Sequence, residues 1–218
     1  MIFRDRRHAG QVLAQQLQAY SGRADVLVLG LPRGGVPVAY EVARALGAPL
    51  DVFIVRKLGA PEQPELAVGA IASGGVRVLN PEVIRVLGIS EREIEDLTTR
   101  EFEEVHQREK LYRGERPPIE VAGRTVILVD DGLATGSTMR AAAIALRRAE
   151  PAKIVVAVPV AAHATCEVLA GEVDEVICAA TPEPFYAVGQ WYEHFGQTTD
   201  DEVRELLAPA SHPPAEVR

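Results

Sequence analysis

Short runs of apolar, largely β-branched residues recur along this chain at 26–29, 52–55, 126–129, 154–158 and 175–178. None of them alternates with polar residues, so each reads as a strand covered on both faces. Helix-period patterns fall between them, at about 6–20, 36–46, 137–149 and 162–170, and the first places Val12, Leu13, Leu17 and Tyr20 on one face. Strand and helix in alternation predict an α/β fold, a mostly parallel open sheet flanked by helices. Runs at 67–72 and 76–79, joined by Ser73-Gly74-Gly75, predict a hairpin beside it.

Residues 81–116 break the alternation. Pro81 opens one short helix and Gly88 closes it, while Ser90 and Glu93 form a capping box for a second over about 91–113. That helix carries Ile94, Leu97, Phe102, Val105 and Leu111 on one stripe among many charges, and ends at Tyr112-Arg113-Gly114 before Pro117-Pro118. An amphipathic helix packed on the core accounts for the stripe; a subunit contact, hence a homodimer, and an active-site cover are the other uses. The chain thus divides into a core over 1–80 and 117–180, a helical insertion over 81–116, an aromatic segment over 181–207 and a proline-rich tail over 208–218 expected to fray.

Composition narrows the partners. With 31 acidic against 23 basic side chains the net charge is −8, which excludes a general nucleic-acid binder but leaves room for phosphate at one local pocket. No run approaches the roughly 20 apolar residues of a membrane span. The opening MIFRDRRHAG has no apolar stretch after its charges, so no signal peptide is expected and the chain reads as cytoplasmic. Cys166 and Cys178, the only cysteines, are too few and too far apart for a zinc cluster or a disulfide framework and are expected as core filler.

Residues 126–139, VILVDDGLATGSTM, carry the chemistry. An apolar strand ends in Asp130 and Asp131, and a loop of small residues then runs into a helix. Ligands of open α/β sheets bind at such carboxyl ends. Thr135, Gly136, Ser137 and Thr138 offer hydroxyls and approachable amides at a helix N-terminus, which suits a phosphate dianion. The two carboxylates can accept hydrogen bonds from sugar hydroxyls, so phosphate at one end and a diol at the other describe a ribose 5-phosphate. A Walker loop would need a lysine after the glycine, and no G-x-G-x-x-G occurs. A metal pair, a receiver-like acidic pocket or a plain capped turn would each leave part of the motif unexplained, since two carboxylates at a buried strand end are costly without a partner.

This segment resembles the signature of type I phosphoribosyltransferases, which bind 5-phosphoribosyl-1-pyrophosphate (PRPP). The resemblance implies that Asp130 and Asp131 hold the ribose 2′- and 3′-hydroxyls, and that Ala134, Thr135, Gly136, Ser137 and Thr138 cradle the 5-phosphate. Leu29-Gly30-Leu31-Pro32-Arg33-Gly34-Gly35 then looks like the family's pyrophosphate loop, with Pro32 and Arg33 preceding two glycines that admit backbone amides to the leaving group. The family often has a cis non-proline peptide there, expected here at Pro32–Arg33. Val55-Arg56-Lys57, read as the end of the second core strand, is similar to the basic pair that orotate and adenine enzymes place before a mobile catalytic loop. Residues 58–66, rich in Gly and Pro and without apolar period, fit such a lid.

On this resemblance Lys57, Arg33 and Asp131 are the expected catalytic residues. Mg²⁺ is the expected cofactor, held mainly through PRPP oxygens and water, with Asp130 and Asp131 the candidate protein contacts. The partners are PRPP and an unidentified base. Ala134 stands where 6-oxopurine enzymes carry an acid, and the further lysines of orotate enzymes are absent, so the acceptor stays open. A hood over the base is expected in 182–197, which holds Phe185, Tyr186, Trp191, Tyr192 and Phe195; an aromatic cluster sealing the core is the competing use. His163 and His194 read as structural, His194 being the better outside candidate. A PRPP-binding regulator without turnover is the alternative from another class, with a phosphorylase-like or hydrolytic use of the pocket behind it.

Overall fold

In the computed structural model, which describes residues 2–61, 63–118 and 120–208, a five-stranded sheet runs in the order β2-β1-β6-β7-β8. Its strands are β1 (Val26–Gly30), β2 (Leu50–Val52), β6 (Thr125–Val129), β7 (Lys153–Val160) and β8 (Glu175–Ala180), and every pairing is parallel. The continuous apolar runs have a direct cause. Val26 and Val28 of β1 face one core with Leu13, Val42 and Leu46, whereas Leu27 and Leu29 face another with Met139, Leu146 and Ile154. Alternate residues of one strand thus serve opposite layers, each fully buried side chain contributing about 1.5–3 kcal/mol.

The first layer consists of α1 (Arg6–Gln16), α2 (Gly35–Leu46) and α7 (Asp200–Leu207), joined by part of α4 (Glu91–Arg113). Asp5 caps α1 through the His8 amide at 2.8 Å, and Gly47 ends α2 with φ 65. The second layer is α5 (Ser137–Arg147) with α6 (His163–Ala170). Among the described residues no helix is long and apolar enough to cross a membrane.

A separate antiparallel sheet, β3 (Val55–Ala60), β4 (Gln63–Ala72) and β5 (Val76–Leu79), lies against α5. This corrects two expectations. The apolar run 52–55 is not one strand: β2 stops at Val52, and the buried link Phe53-Ile54, with its amides bonded to the Gly30 carbonyl and Ser73 Oγ, carries the chain into the second sheet. Arg56 and Lys57 therefore sit at the start of a hairpin. Residues 58–66 are likewise not an irregular loop, since β3 and β4 occupy 58–60 and 63–66; Glu62 lies outside the described residues. Register shifts at Leu58/Gly59 and Gly59/Ala60 erase the alternation by which a strand is recognised.

Within 81–116, α3 (Pro81–Leu87) is capped by Asn80 and ends at Gly88 (φ 64), and both halves of the Ser90–Glu93 capping box form at α4. The buried stripe of α4 runs through Ile94, Thr98, Val105 and Tyr112; Leu111, expected on it, is 42% exposed because the helical phase turns it outward. Arg113 pins the helix end to β2, its Nε 2.9 Å from both Asp51 oxygens and its Nη2 2.8 Å from the Val52 carbonyl. Cys166 on α6 and Cys178 on β8 do pack on the second core, but they are bonded to each other as a disulfide. Their separation in sequence conceals that α6 folds back onto β8. The tail beyond residue 208 lies outside the described residues.

Candidate functional site

The central pairing of β1 with β6 sets Gly30 opposite Val129, so the loops after the two strands leave the sheet side by side. The Leu31 amide donates to the Val129 carbonyl at 2.9 Å. A Cβ on Gly34 would lie 2.1 Å from Asp131 Oδ2, and one on Gly35 would lie 2.6 Å from the Val129 carbonyl and 2.9 Å from Asp130 Cα. The glycines therefore let the first loop close onto the acids of the second. The Gly35 amide is engaged inside its own turn, donating to the Leu31 carbonyl at 3.0 Å, so its use here differs from the expected approach to a leaving group. The Pro32–Arg33 peptide is cis.

Asp130 and Asp131 project at the end of β6 and are partly accessible. Asp130 Oδ1 accepts from the Asp131 amide at 2.9 Å. Burial, and then the neighbouring Asp131 charge, holds the Asp130 carboxyl well above the usual carboxylate range. Burial also raises Asp131, while the Arg6 guanidinium pulls it back. Arg6 reaches in from α1, its Nε 2.8 Å from Asp131 Oδ2. Tyr192 donates its hydroxyl to the Asp131 carbonyl at 2.5 Å, and burial pushes its phenol far up, keeping it a neutral donor.

The loop beyond the acids is braced from behind and open in front. The Leu133 amide donates to the Val160 carbonyl at 2.9 Å, and Thr165 Oγ1 donates to the Ala134 carbonyl at 2.6 Å. Gly136 caps α5 at φ 68 with no side-chain acceptor for the first-turn amides. The Thr135 and Ser137 hydroxyls lie 3.1 Å apart and face solvent together with Ala134 and Thr138. The Ser137 amide reaches Thr135 Oγ1 only at 3.5 Å, too long for a working cap. Amides, hydroxyls and the positive end of a helix converge on one outward-facing spot, which is what a phosphate requires.

The expected basic residues separate. Lys57 lines a groove of about 460 Å³ together with Ser137 and Arg140, between the antiparallel sheet and α5. Arg56 is its neighbour on β3 and points the other way, its Nε donating to Glu101 of α4 at 2.8 Å. The structure therefore turns Lys57, not Arg56, toward the groove that Ser137 also lines. Arg33 keeps a half-exposed guanidinium, 3.9 Å from Asp200, whose carboxylate also accepts from Tyr112 at 2.6 Å.

The aromatic segment is held to the N-terminus. The Phe3 amide donates to the Trp191 carbonyl at 2.7 Å and the Glu193 amide to the Phe3 carbonyl at 2.8 Å. Phe185 stacks on Trp191, and Tyr192 lies between Phe3 and Phe195 at 5.6 and 4.9 Å. Tyr186 points outward. His163 sits 3.4 Å from Glu167, one turn along α6, and His194 lines a small cleft with Arg6. Among the described residues no group of three or more His, Cys, Asp or Glu could hold a metal. The two acids, one already tied to Arg6, would need oxygen ligands from elsewhere to complete a cation's coordination.

Sequence reasoning missed Arg6, which stands in an unremarkable helical pattern 125 residues from its partner acid. Only a tertiary contact reveals it.

Known proteins share this arrangement of elements. A family model described as phosphoribosyl transferase domain matches residues 6–182. A Mycobacterium tuberculosis protein named as a putative phosphoribosyl transferase, recorded from two strains, is 50% identical over 206 residues, 94% of this chain and 46% of that protein. The chain thus spans about half the length of the curated relatives it matches. The crystal structure of TT1426 from Thermus thermophilus is 46% identical with a TM-score of 0.85, covering 95% of this chain and 98% of that one. The AQ2163 protein from Aquifex aeolicus, 12% identical with a TM-score of 0.50 over 84% and 78% of the two chains, shares the fold alone.

Proposed function

The chain belongs to the phosphoribosyl transferase domain family, and from that premise we propose that it moves a 5-phosphoribosyl group from PRPP to a nitrogen base with release of pyrophosphate. One observation carries the reading: an acid pair and an open helix N-terminus that both follow the carboxyl end of β6. Asp130 and Asp131 accept from the ribose hydroxyls. Thr135, Ser137, Thr138 and the amides after Gly136 hold the 5-phosphate. Arg33 and Lys57 offset charge on the departing pyrophosphate.

The C1′–oxygen bond breaks with its electron pair leaving on pyrophosphate, and the base nitrogen closes on the opposite face of C1′, inverting it and losing its proton. The transition state has oxocarbenium character, and no residue need attack C1′. Catalysis rests on positioning and charge stabilisation. Mg²⁺ bound with PRPP would supply charge neutralisation on the pyrophosphate, and Asp130 and Asp131 are the residues that would contact it.

Screening purines, pyrimidines and orotate with PRPP and Mg²⁺, with pyrophosphate release as readout, tests this directly. Release with one base is expected. PRPP binding without release for any base would instead make the chain a PRPP-responsive regulator, and no PRPP binding would end both readings.

A further inference from the structure

Arg6 makes contacts that a helix-surface arginine has no need of. Its Nε donates to Asp131 Oδ2 at 2.8 Å, its Nη1 donates to the Gly196 carbonyl at 2.6 Å, and its central carbon lies 4.0 Å over the Phe195 ring. The side chain is only 13% exposed. Gly34 keeps this space open, since a Cβ there would come within 3.2 Å of Arg6 Nε. Both edges and one face of a planar cation are therefore engaged, by two separate parts of the chain: the acid after β6, and the adjacent Phe195 ring and Gly196 carbonyl of the aromatic segment.

A carboxylate on a strand end can rotate about its last bond and turn either oxygen outward. A guanidinium bonded to one oxygen, and itself fixed along a second edge, removes that freedom; an ammonium, without the fork, would not. No described residue donates to Asp131 Oδ1. We propose that Arg6 is a positioning residue of the ribose site, fixing Asp131 so that Oδ1 faces the sugar diol, with Phe195 and Gly196 holding Arg6 in place. This assignment rests on the reading of the pocket as a PRPP site. It also couples the aromatic segment to the ribose site.

The test is selectivity for the diol. The full chain is titrated by calorimetry with ribose 5-phosphate, 2-deoxyribose 5-phosphate and inorganic phosphate, and so is Arg6→Ala. The unmodified protein should prefer the ribose compound. In Arg6→Ala, affinity for ribose 5-phosphate should fall by at least about tenfold, one charge-assisted hydrogen bond, while that for the deoxy compound and for phosphate stays within about threefold. The preference for the 2-hydroxyl should thus collapse, which a purely structural ion pair would not cause. If Arg6→Ala does not fold, Arg6→Lys, which keeps the charge and loses the second edge, is read by the same ratio. An unchanged ratio in a folded variant overturns the assignment and leaves the PRPP reading standing. An unmodified protein that binds neither sugar phosphate overturns the PRPP reading and the assignment with it.

Discussion

The two sheets meet across α5 and contribute opposite halves of the proposed site. The parallel sheet supplies acceptors and amides at fixed points, because Gly30 and Val129 are locked in register at the centre of a doubly covered layer. The antiparallel sheet supplies a cation, Lys57, from a strand with two register shifts and one face on an open groove. The contrast suggests a division of labour. The groups proposed to position the sugar sit at the centre of the doubly covered sheet, and the group proposed to answer a departing charge sits on the separate sheet beside it.

The largest effect should come from the rigid half. Asp130→Asn with Asp131→Asn should abolish measurable PRPP binding, since each lost charged acceptor costs roughly 1.5–3 kcal/mol. The fold should survive. Both carboxyl pKa values are raised by burial, so the folded state already disfavours their charge. Stability arising from a raised acid pKa is present when the acid is protonated and declines as pH rises, so the amide at 130 should not lower the melting temperature at neutral pH, whereas the amide at 131 weakens the pair with Arg6 and should lower it modestly. Calorimetry with a thermal melt checks both parts; unchanged PRPP affinity in the folded double variant removes the ribose assignment.

A smaller but sharper effect belongs to the phosphate loop. Thr135→Ala with Ser137→Ala deletes two hydroxyl donors, and ribose 5-phosphate should bind about a hundredfold more weakly. Since Gly136, not either hydroxyl, caps α5, the unliganded stability should move by less than about 1 kcal/mol. Equal affinity in parent and variant would put the phosphate elsewhere. A large drop in unliganded stability would mean that the hydroxyls serve the helix after all.

The same contrast governs how much could be read in advance. The parallel strands were legible because burial on both faces leaves an uninterrupted apolar run, and the acids and small-residue loop because their residue types are hard to account for structurally. The capping box at Ser90 and the glycine stop at Gly88 were legible because such signals are local. In the antiparallel half the hairpin of β4 and β5 was legible from its two apolar runs and the Ser73-Gly74-Gly75 turn, but β3 was not, because it loses its period at Leu58–Ala60 and looks like a loop. Arg6, the Arg56–Glu101 pair and the Cys166–Cys178 link depend on which helix lies over which strand, and no residue spacing encodes that.

The least dramatic prediction tests the division of labour itself, by separating two adjacent basic residues. Arg56 and Lys57 follow one another on β3, so their side chains leave opposite faces, one toward Glu101 and the other toward the groove beside Ser137. Lys57→Ala should weaken PRPP by about tenfold, the loss of one charge-assisted contact to a phosphate oxygen, with little change in melting. Arg56→Ala should leave PRPP affinity where it was. It should lower stability by no more than about 1 kcal/mol, because the ion pair with α4 is more than a third exposed on the arginine side and solvent screens it. Titration and melting of both variants decide the matter. If Arg56→Ala weakens PRPP as much as Lys57→Ala does, β3 must turn on binding so that Arg56 leaves Glu101 for the ligand. The antiparallel sheet would then be a moving part of the site and not a second fixed wall.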